Sequence, residues 1–195
     1  PLAHDIALAG LTCRGLRDAV RLTFKARPFS GEVVTLIGHH SFVDCVAVAP
    51  DGRVITGSDD HTVIVWRNGA CERTIQVHTN WVRAVAVLPG GARFVSGSAD
   101  GTAKLWTLDG ALERSFEVGY VHCVTALPDG AHFVVGLVHP TEVRLYHVDG
   151  TLVHTFKGHN RPVYAVSVTL DGQHIISGSQ DGRVKVWSLA TKSLV

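Results

Sequence analysis

The stretch Val95–Trp106, VSGSADGTAKLW, decides the reading of this chain. An apolar run enters a Gly-Ser-x-Asp turn, and an alternating strand leaves it, with Thr102, Lys104 and Trp106 on one side and Ala103 and Leu105 on the other. Period-two alternation broken by Gly and Asp predicts two paired strands. Two near-copies make it a repeat: ITGSDDHTVIVW at Ile55–Trp66 and ISGSQDGRVKVW at Ile176–Trp187. A degraded fourth copy ends at Tyr146.

The period follows from the markers. Trp66, Trp106, Tyr146 and Trp187 lie 40, 40 and 41 residues apart. A second series of turns runs Pro50–Gly52, Pro89–Gly91, Pro128–Gly130 and Leu170–Gly172, and a third is Asn68-Gly69, Asp109-Gly110 and Asp149-Gly150. Asn-Gly and Asp-Gly favour tight hairpins because both central residues tolerate positive φ. Each period therefore holds four short strands, in the second period near Trp81–Val87, Arg93–Gly97, Thr102–Trp106 and Ala111–Glu117. Four strands every 40 or so residues predict radially stacked sheets, a β-propeller.

The expected fold is all-β, with about four four-stranded blades in a partial or open propeller and a short N-terminal helix. Residues 1–30 form a separate helical segment and linker; residues 31–195 hold repeats at about 31–68, 69–108, 109–148 and 149–195. Glu32–Ile37 reads as an outer strand without inner partners upstream, unless it joins the last blade, where Thr191–Val195 competes for the same slot. An open arc exposes strand edges and apolar faces, so the chain is expected to self-associate.

Composition excludes several classes. Apolar residues make up 46% of the 195, enough for a sizeable core, and a net charge of +1 provides no general field for nucleic acid. Cys13, Cys45, Cys71 and Cys123 show no C-x-x-C spacing, and Cys45 and Cys123 sit in apolar strand patterns as small hydrophobes. No run is long enough to span a bilayer as a helix and no secretory pattern appears, so the expected setting is intracellular, cytoplasmic or nuclear. The twelve histidines lack ligand spacing, and no phosphate- or dinucleotide-binding motif appears; no metal, cofactor or small-molecule substrate is expected. A chain that begins at Pro1 and contains no Met is expected to be processed or an excerpt of a longer one.

With Gly38-His39, Ser96–Trp106 and Gly158-His159, the sequence from Glu32 onward resembles the WD40-repeat family. The Asp of the Trp-Asp pair is absent throughout: Arg67, Thr107 and Ser188 follow the three tryptophans. Each good repeat supplies a His, a Ser or Thr, an Asp and a Trp: His39, Thr56, Asp60 and Trp66; His78, Ser96, Asp100 and Trp106; His159, Ser177, Asp181 and Trp187. Such groups invite a hydrolase reading. The resemblance implies instead a hydrogen-bonded chain inside each blade, and three copies argue against a single active site, so no catalytic residue is assigned. In the third repeat Glu117 stands in the His register, Val135 in the Ser register and Tyr146 in place of Trp, which predicts the least rigid blade.

The resemblance also places a partner-binding face on the loops entering the inner strands and on the turns beyond. The positions are Phe42, Asp44, Asp59 and His61; Trp81 and Arg83; Tyr120 and His122; and Pro162, Tyr164 and Gln180. Phe42, Trp81, Tyr120 and Tyr164 supply an aromatic from every blade, and aromatics beside Arg typify binding hot spots. Upstream, Leu11, Cys13, Arg14, Leu16 and Arg17 resemble the end of an F-box, whose leading half is absent. That match implies a Skp-type adaptor and a degradation substrate as partners, in a cullin-type ubiquitin ligase. The alternative is a WD-repeat subunit of a signalling or RNA-processing assembly.

Overall fold

The computed structural model describes residues 33–195. The strands are β1 (Val43–Val48), β2 (Val54–Ser58), β3 (Thr62–Arg67), β4 (Ala70–Gln76), β5 (Val82–Val87), β6 (Arg93–Ser98), β7 (Thr102–Thr107), β8 (Leu112–Glu117), β9 (Tyr120–Ala126), β10 (His132–His139), β11 (Val143–His147), β12 (Leu152–Phe156), β13 (Val163–Val168), β14 (His174–Ser179), β15 (Val184–Ser188) and β16 (Ser193–Leu194). They form four antiparallel four-stranded sheets, each in simple chain order: β1–β4, β5–β8, β9–β12 and β13–β16. These are blades 1 to 4. The fold is the expected all-β propeller architecture of four blades. The expected N-terminal helix and the F-box-like residues Leu11, Cys13 and Leu16 lie outside the described residues.

Each of the first three sheets is closed by the first strand of the following sequence repeat, β4, β8 or β12, so blades break at the loops after these strands and not at the expected repeat boundaries. Glu32–Ile37 departs from expectation. Val33–Ile37 forms no strand, and the slot in blade 4 is taken by β16, paired through Trp187–Leu194 and Ser188–Ser193. The turns depart too. Asn68 and Gly69 both have positive φ, as a two-residue hairpin demands. At Asp109-Gly110 only the glycine does, because Leu108 is buried and widens the loop to seat itself in the core.

Packing between blades is the main source of burial. Three apolar clusters each straddle a junction: Val63, Val65 and Ile75 meet Val82, Phe94 and Trp106; Leu105 and Phe116 meet Val121, Phe133 and Tyr146; Leu145 and Phe156 meet Val163, Ile175 and Trp187. At the centre of each junction a valine that opens one inner strand covers a glycine of the preceding blade. A Cβ added at Gly57 would lie 2.6 Å from Val82, one at Gly97 2.4 Å from Val121, and one at Gly136 2.9 Å from Val163. Small residues on the neighbouring inner strand, Cys45 and Cys123, share these sockets; Cys45, Cys71 and Cys123 are free thiols, and burial pushes the Cys123 thiol up to about 12.

Gly97→Ala is expected to overpack its junction and lower unfolding free energy by about 1–3 kcal/mol. Where the chain is monomeric, the equivalent Gly178→Ala, whose added Cβ meets only Ala165 at 3.7 Å, should stay within about 0.5 kcal/mol of the parent. Urea denaturation of the two variants checks the contrast.

Candidate functional site

Blades 1, 2 and 4 each contain the four-residue set, and each is a closed chain of hydrogen bonds. In blade 2 the Trp106 indole N–H donates to Ser96 Oγ at 3.0 Å, Ser96 lies 2.7 Å from His78 Nε2, and His78 Nδ1 lies 2.8 Å from Asp100 Oδ2. The corresponding distances are 2.8, 2.7 and 2.9 Å for Trp66, Thr56, His39 and Asp60, and 2.8, 2.8 and 2.7 Å for Trp187, Ser177, His159 and Asp181. One proton arrangement satisfies every member: indole to hydroxyl, hydroxyl to Nε2, and Nδ1–H to carboxylate. The aspartate also accepts from the backbone beside the His and from the strand it opens, as Thr79 and Thr102 show for Asp100.

All three aspartates stay ionised below the ordinary carboxylate range, Asp60 and Asp100 well below it. Burial works against the charge at Asp60, but hydrogen bonds from Thr62, the His40 amide and His39 outweigh it. At Asp100 burial is likewise overcome by His78 and Thr102, and at Asp181 by His159 and the Arg183 amide. Ser96 and Ser177 are completely buried, so neither hydroxyl can meet a substrate. This geometry turns each set inward as a lock.

Blade 3 lacks the set, and counting back from its inner strand misassigns one position. Glu117 is the exposed end of β8 and pairs with Thr102 as Gln76 pairs with Thr62. The His position belongs to Gly119: its amide donates to the Gly101 carbonyl as the His78 amide donates to His61. The loop into β9 is shorter than the loop into β5, so equal counting overshoots. Val135 and Tyr146 do occupy the Ser and Trp positions, both buried. Phe116 and Phe133 flank Tyr146 at 5.7 Å each, and the Arg144 guanidinium grips Glu142 through two nitrogens at 2.9 and 2.7 Å. Aromatic packing and an ion pair replace the polar chain, so packing gives no reason for this blade to be loose.

The second constellation lies where the inner strands begin. Asp44, Arg83, His122 and Tyr164 each follow the junction valine of their blade and form one row. Arg83 pairs with Asp44 and lies 3.5 Å from Asp59, and its guanidinium stacks over Trp81 at 4.5 Å. His122 and Tyr164 rings are 4.5 Å apart. Outside this row stand Phe42, Trp81, Tyr120 and Pro162, so the aromatic rim has three members; Tyr164 belongs to the inner row. The Asp59 and Gln180 amides donate to Phe42 and Pro162 carbonyls at 2.9 Å, tying rim to turn. His61 lies in the blade 1 turn with φ 71°. Phe42 and Gln180 are exposed and enter no side-chain hydrogen bond among the described residues.

Electrostatics in the row is uneven. Burial and then the neighbouring Asp44 carboxyl raise Asp59, whereas burial followed by the Arg83 charge lowers His122. Among the described residues, three buried side-chain polar atoms lack a hydrogen-bond partner: Asp59 Oδ1, Arg83 Nε and His122 Nδ1. Arg83 and His122 belong to this row, and Asp59 stands beside it in the blade 1 turn, with Oδ1 3.5 Å from the Arg83 guanidinium. No sequence signal marks them, because each is orphaned by its neighbours across a junction.

The fold and these two constellations define a propeller of the interaction type, with locked blades and a polar, aromatic-rimmed inner row. The family model "WD domain, G-beta repeat" matches residues 30–67, 69–107 and 150–188, and the chain belongs to that family. The stretch between the second and third matches contains β9, β10 and β11 of blade 3, which lacks the lock. The chain is 34% identical over 184 residues to pre-mRNA-processing factor 19 homolog 2 of Arabidopsis thaliana, covering 88% of this chain and 34% of that protein. It is 30% identical over 199 residues to the ribosome biogenesis protein WDR12 homolog of Drosophila persimilis, covering 96% and 39%. It is 29% identical over 168 residues to small ribosomal subunit protein RACK1y of Oryza sativa subsp. japonica, covering 78% and 49%. The chain thus spans less than half the length of each of these relatives.

Ser96→Ala is expected to lower unfolding free energy by about 1–2 kcal/mol, because it strands both the Trp106 N–H and His78 Nε2. The lock aspartates have folded-state pKa values below the ordinary 3.8. Their contribution is therefore complete above that value and is lost as pH falls through the depressed range. Denaturation midpoints measured from pH 6 downward should fall for the parent below about pH 4. For Asp100→Asn they should start lower and fall less steeply.

Proposed function

We propose that this chain is a non-enzymatic protein–protein interaction scaffold that engages a protein partner through the row Asp44, Arg83, His122 and Tyr164 and its rim of Trp81 and Tyr120. The observation that carries this reading is the gathering of two buried polar atoms without a hydrogen-bond partner, Arg83 Nε and His122 Nδ1, in that one row. Each such atom is destabilising by roughly 1–3 kcal/mol in the free protein. Strained polar sites of this kind persist where a ligand supplies the missing partners. The exposed Trp81 face, stacked on Arg83, is the anchor.

Arg83 is already matched by two carboxylates, so the row favours a partner presenting hydrogen-bond groups over one presenting a phosphate. The printed names of the relatives support an intracellular assembly subunit, in RNA processing or on the ribosome, as the setting. The F-box-like residues Leu11, Cys13, Arg14, Leu16 and Arg17 support a second reading, a ubiquitin-ligase substrate receptor. Capture of a purified Skp-type adaptor by the chain decides between them; absence of binding removes the receptor reading.

Trp81→Ala should weaken capture of cellular partners at least tenfold, read by quantitative mass spectrometry against the parent, with little change in melting temperature. His122→Phe removes the unpartnered Nδ1 and keeps the contact with Tyr164. It should raise the melting temperature by a few degrees while weakening capture. A lowered melting temperature would count against strain at this row.

A further inference from the structure

Blade 3 carries a second polar group, at the end of the blade away from the inner row. β10 runs from His132 to His139, which pairs with Tyr120 of the rim, so His132 lies at the far end. There His132 opens β10, His147 closes β11, and the two stand directly opposite in the ladder. The Val148 amide donates to the Ala131 carbonyl, which makes His132–His147 the non-hydrogen-bonded kind of pair. Side chains of such a pair approach most closely. Both imidazoles share the face that carries Val134 and Leu145 into the junction with blade 4. They sit at its solvent end, with side chains 28% and 33% exposed. Blades 2 and 4 place Arg93 opposite Thr107 and His174 opposite Ser188 at this level, so neither doubles the imidazole.

The two rings are set as a chelate would set them. Their centres lie 4.8 Å apart and their planes cross at 69°. Two imidazoles that bind one metal ion through nitrogens at about 2.0–2.1 Å, near a tetrahedral angle, keep their ring centres roughly 5 Å apart. The turns on either side fix which nitrogen is presented. Asp129, in the β9–β10 turn, places Oδ2 2.6 Å from His132 Nδ1. Asp149, in the β11–β12 turn, places Oδ1 2.9 Å from His147 Nδ1, nearer than its own amide at 3.2 Å. A carboxylate beside Nδ1 holds the proton there and leaves the lone pair on Nε2, the arrangement that orients metal-bound histidines in general.

The carboxylates are themselves seated. Asp129 accepts from the Ala131 and His132 amides, and Asp149 from the Thr151 amide. Burial works against the charge at Asp129 but is outweighed by the Ala131 amide and His132, which hold it below its ordinary value. Hydrogen bonds from Thr151 and then His147 draw Asp149 down to about 2. Both are therefore anionic at neutral pH. The spacing of histidines along the chain does not show this pair; the ladder between β10 and β11 makes it.

We propose that His132 and His147 bind one divalent transition-metal ion through their Nε2 atoms, with Asp129 and Asp149 as positioning residues and water in the remaining positions. Imidazole donors suit zinc and its neighbours and not calcium or magnesium. Among the described residues no group of three or more His, Cys, Asp or Glu is placed to hold a metal, so the site is a two-ligand clip and not a closed structural centre. An ion held there ties β10 to β11 in the blade that lacks the lock, and it stabilises the folded chain by mass action. The clip is independent of the inner row and of its proposed partner.

The test is isothermal titration calorimetry of the tag-free 195-residue chain with zinc, cobalt and calcium salts. The expected result is one saturable zinc site per chain, weaker with cobalt and absent with calcium. His132→Gln and His147→Gln should each weaken zinc binding at least tenfold, and Asp149→Asn by roughly tenfold. His154→Gln should leave it unchanged. Zinc should raise the melting temperature of the parent and not that of His132→Gln. No saturable zinc binding by the parent overturns the proposal, as does binding that survives in a folded His132→Gln/His147→Gln double variant. Should the double variant fail to fold, imidazole NMR of the parent decides. Zinc-induced shifts confined to His132 and His147 support the site, and shifts at other histidines alone, or none, overturn it.

Discussion

A valine seated over a glycine carries this structure from one blade to the next. The contact demands three things at once. The preceding blade must leave its Cβ position empty, its inner strand must present a small residue such as Cys45, Ala84 or Cys123, and the following strand must open on a branched apolar residue. Gly57, Gly97 and Gly136 are confined by this close approach; their φ values are not those of the positive-φ turn glycines. Removing the methyl groups or filling the socket opens a gap or a clash at the centre of an apolar junction. No blade buries both faces alone, so stability is a sum of blade and junction terms.

Within a blade, the lock and the junction do different work. The Trp-Ser-His-Asp chain spans from the outer loop to the turn between the second and third strands and fixes where the next inner strand starts. Blade 3 shows that this positioning has a second solution. There the loop is shortened to Gly119, whose missing side chain admits the carbonyl of His139, and the vacated polar positions fill with Val135 and Tyr146. The junction valines Val121 and Val163 on either side of that blade remain completely buried. The junction is thus the stricter constraint and the lock the more replaceable one.

The repeat was legible because its signals are local. Gly-Ser-x-Asp, the alternating strand and the closing tryptophan lie within a dozen residues, and their spacing predicts four sheets; the lock, whose histidines stand further upstream, follows from the resemblance to the WD40-repeat family. What was not legible crosses between repeats. Glu117 was misassigned because loop length, which sequence spacing does not separate from strand length, shifts the register by two residues before β9. Tyr164 was grouped with the rim because its aromatic character masked its pleat position; only pairing of Val163 with Ser179 shows that it belongs with Arg83 and His122. Val33–Ile37 has strand-like composition, yet a strand needs an edge to pair with.

The polar inner row follows from the same geometry. Residues after the junction valine point toward the common axis, where blades converge and side chains from three sheets crowd into one place. A continuous apolar row there would pack well and recognise nothing. This chain instead places Asp44, Arg83, His122 and Tyr164 along it, so that each charge or ring is set by a neighbour on another blade. Arg83 is held by Asp44 and Asp59 from blade 1 and by Trp81 on its own strand, yet its Nε is left without an acceptor. His122 is pressed toward neutrality by burial and by Arg83, yet its Nδ1 faces no partner. Rigid junctions make that mismatch permanent: the strands cannot shift to relieve it without lifting a valine from its glycine. The packing that stabilises the arc therefore also holds Arg83 Nε and His122 Nδ1 without partners among the described residues.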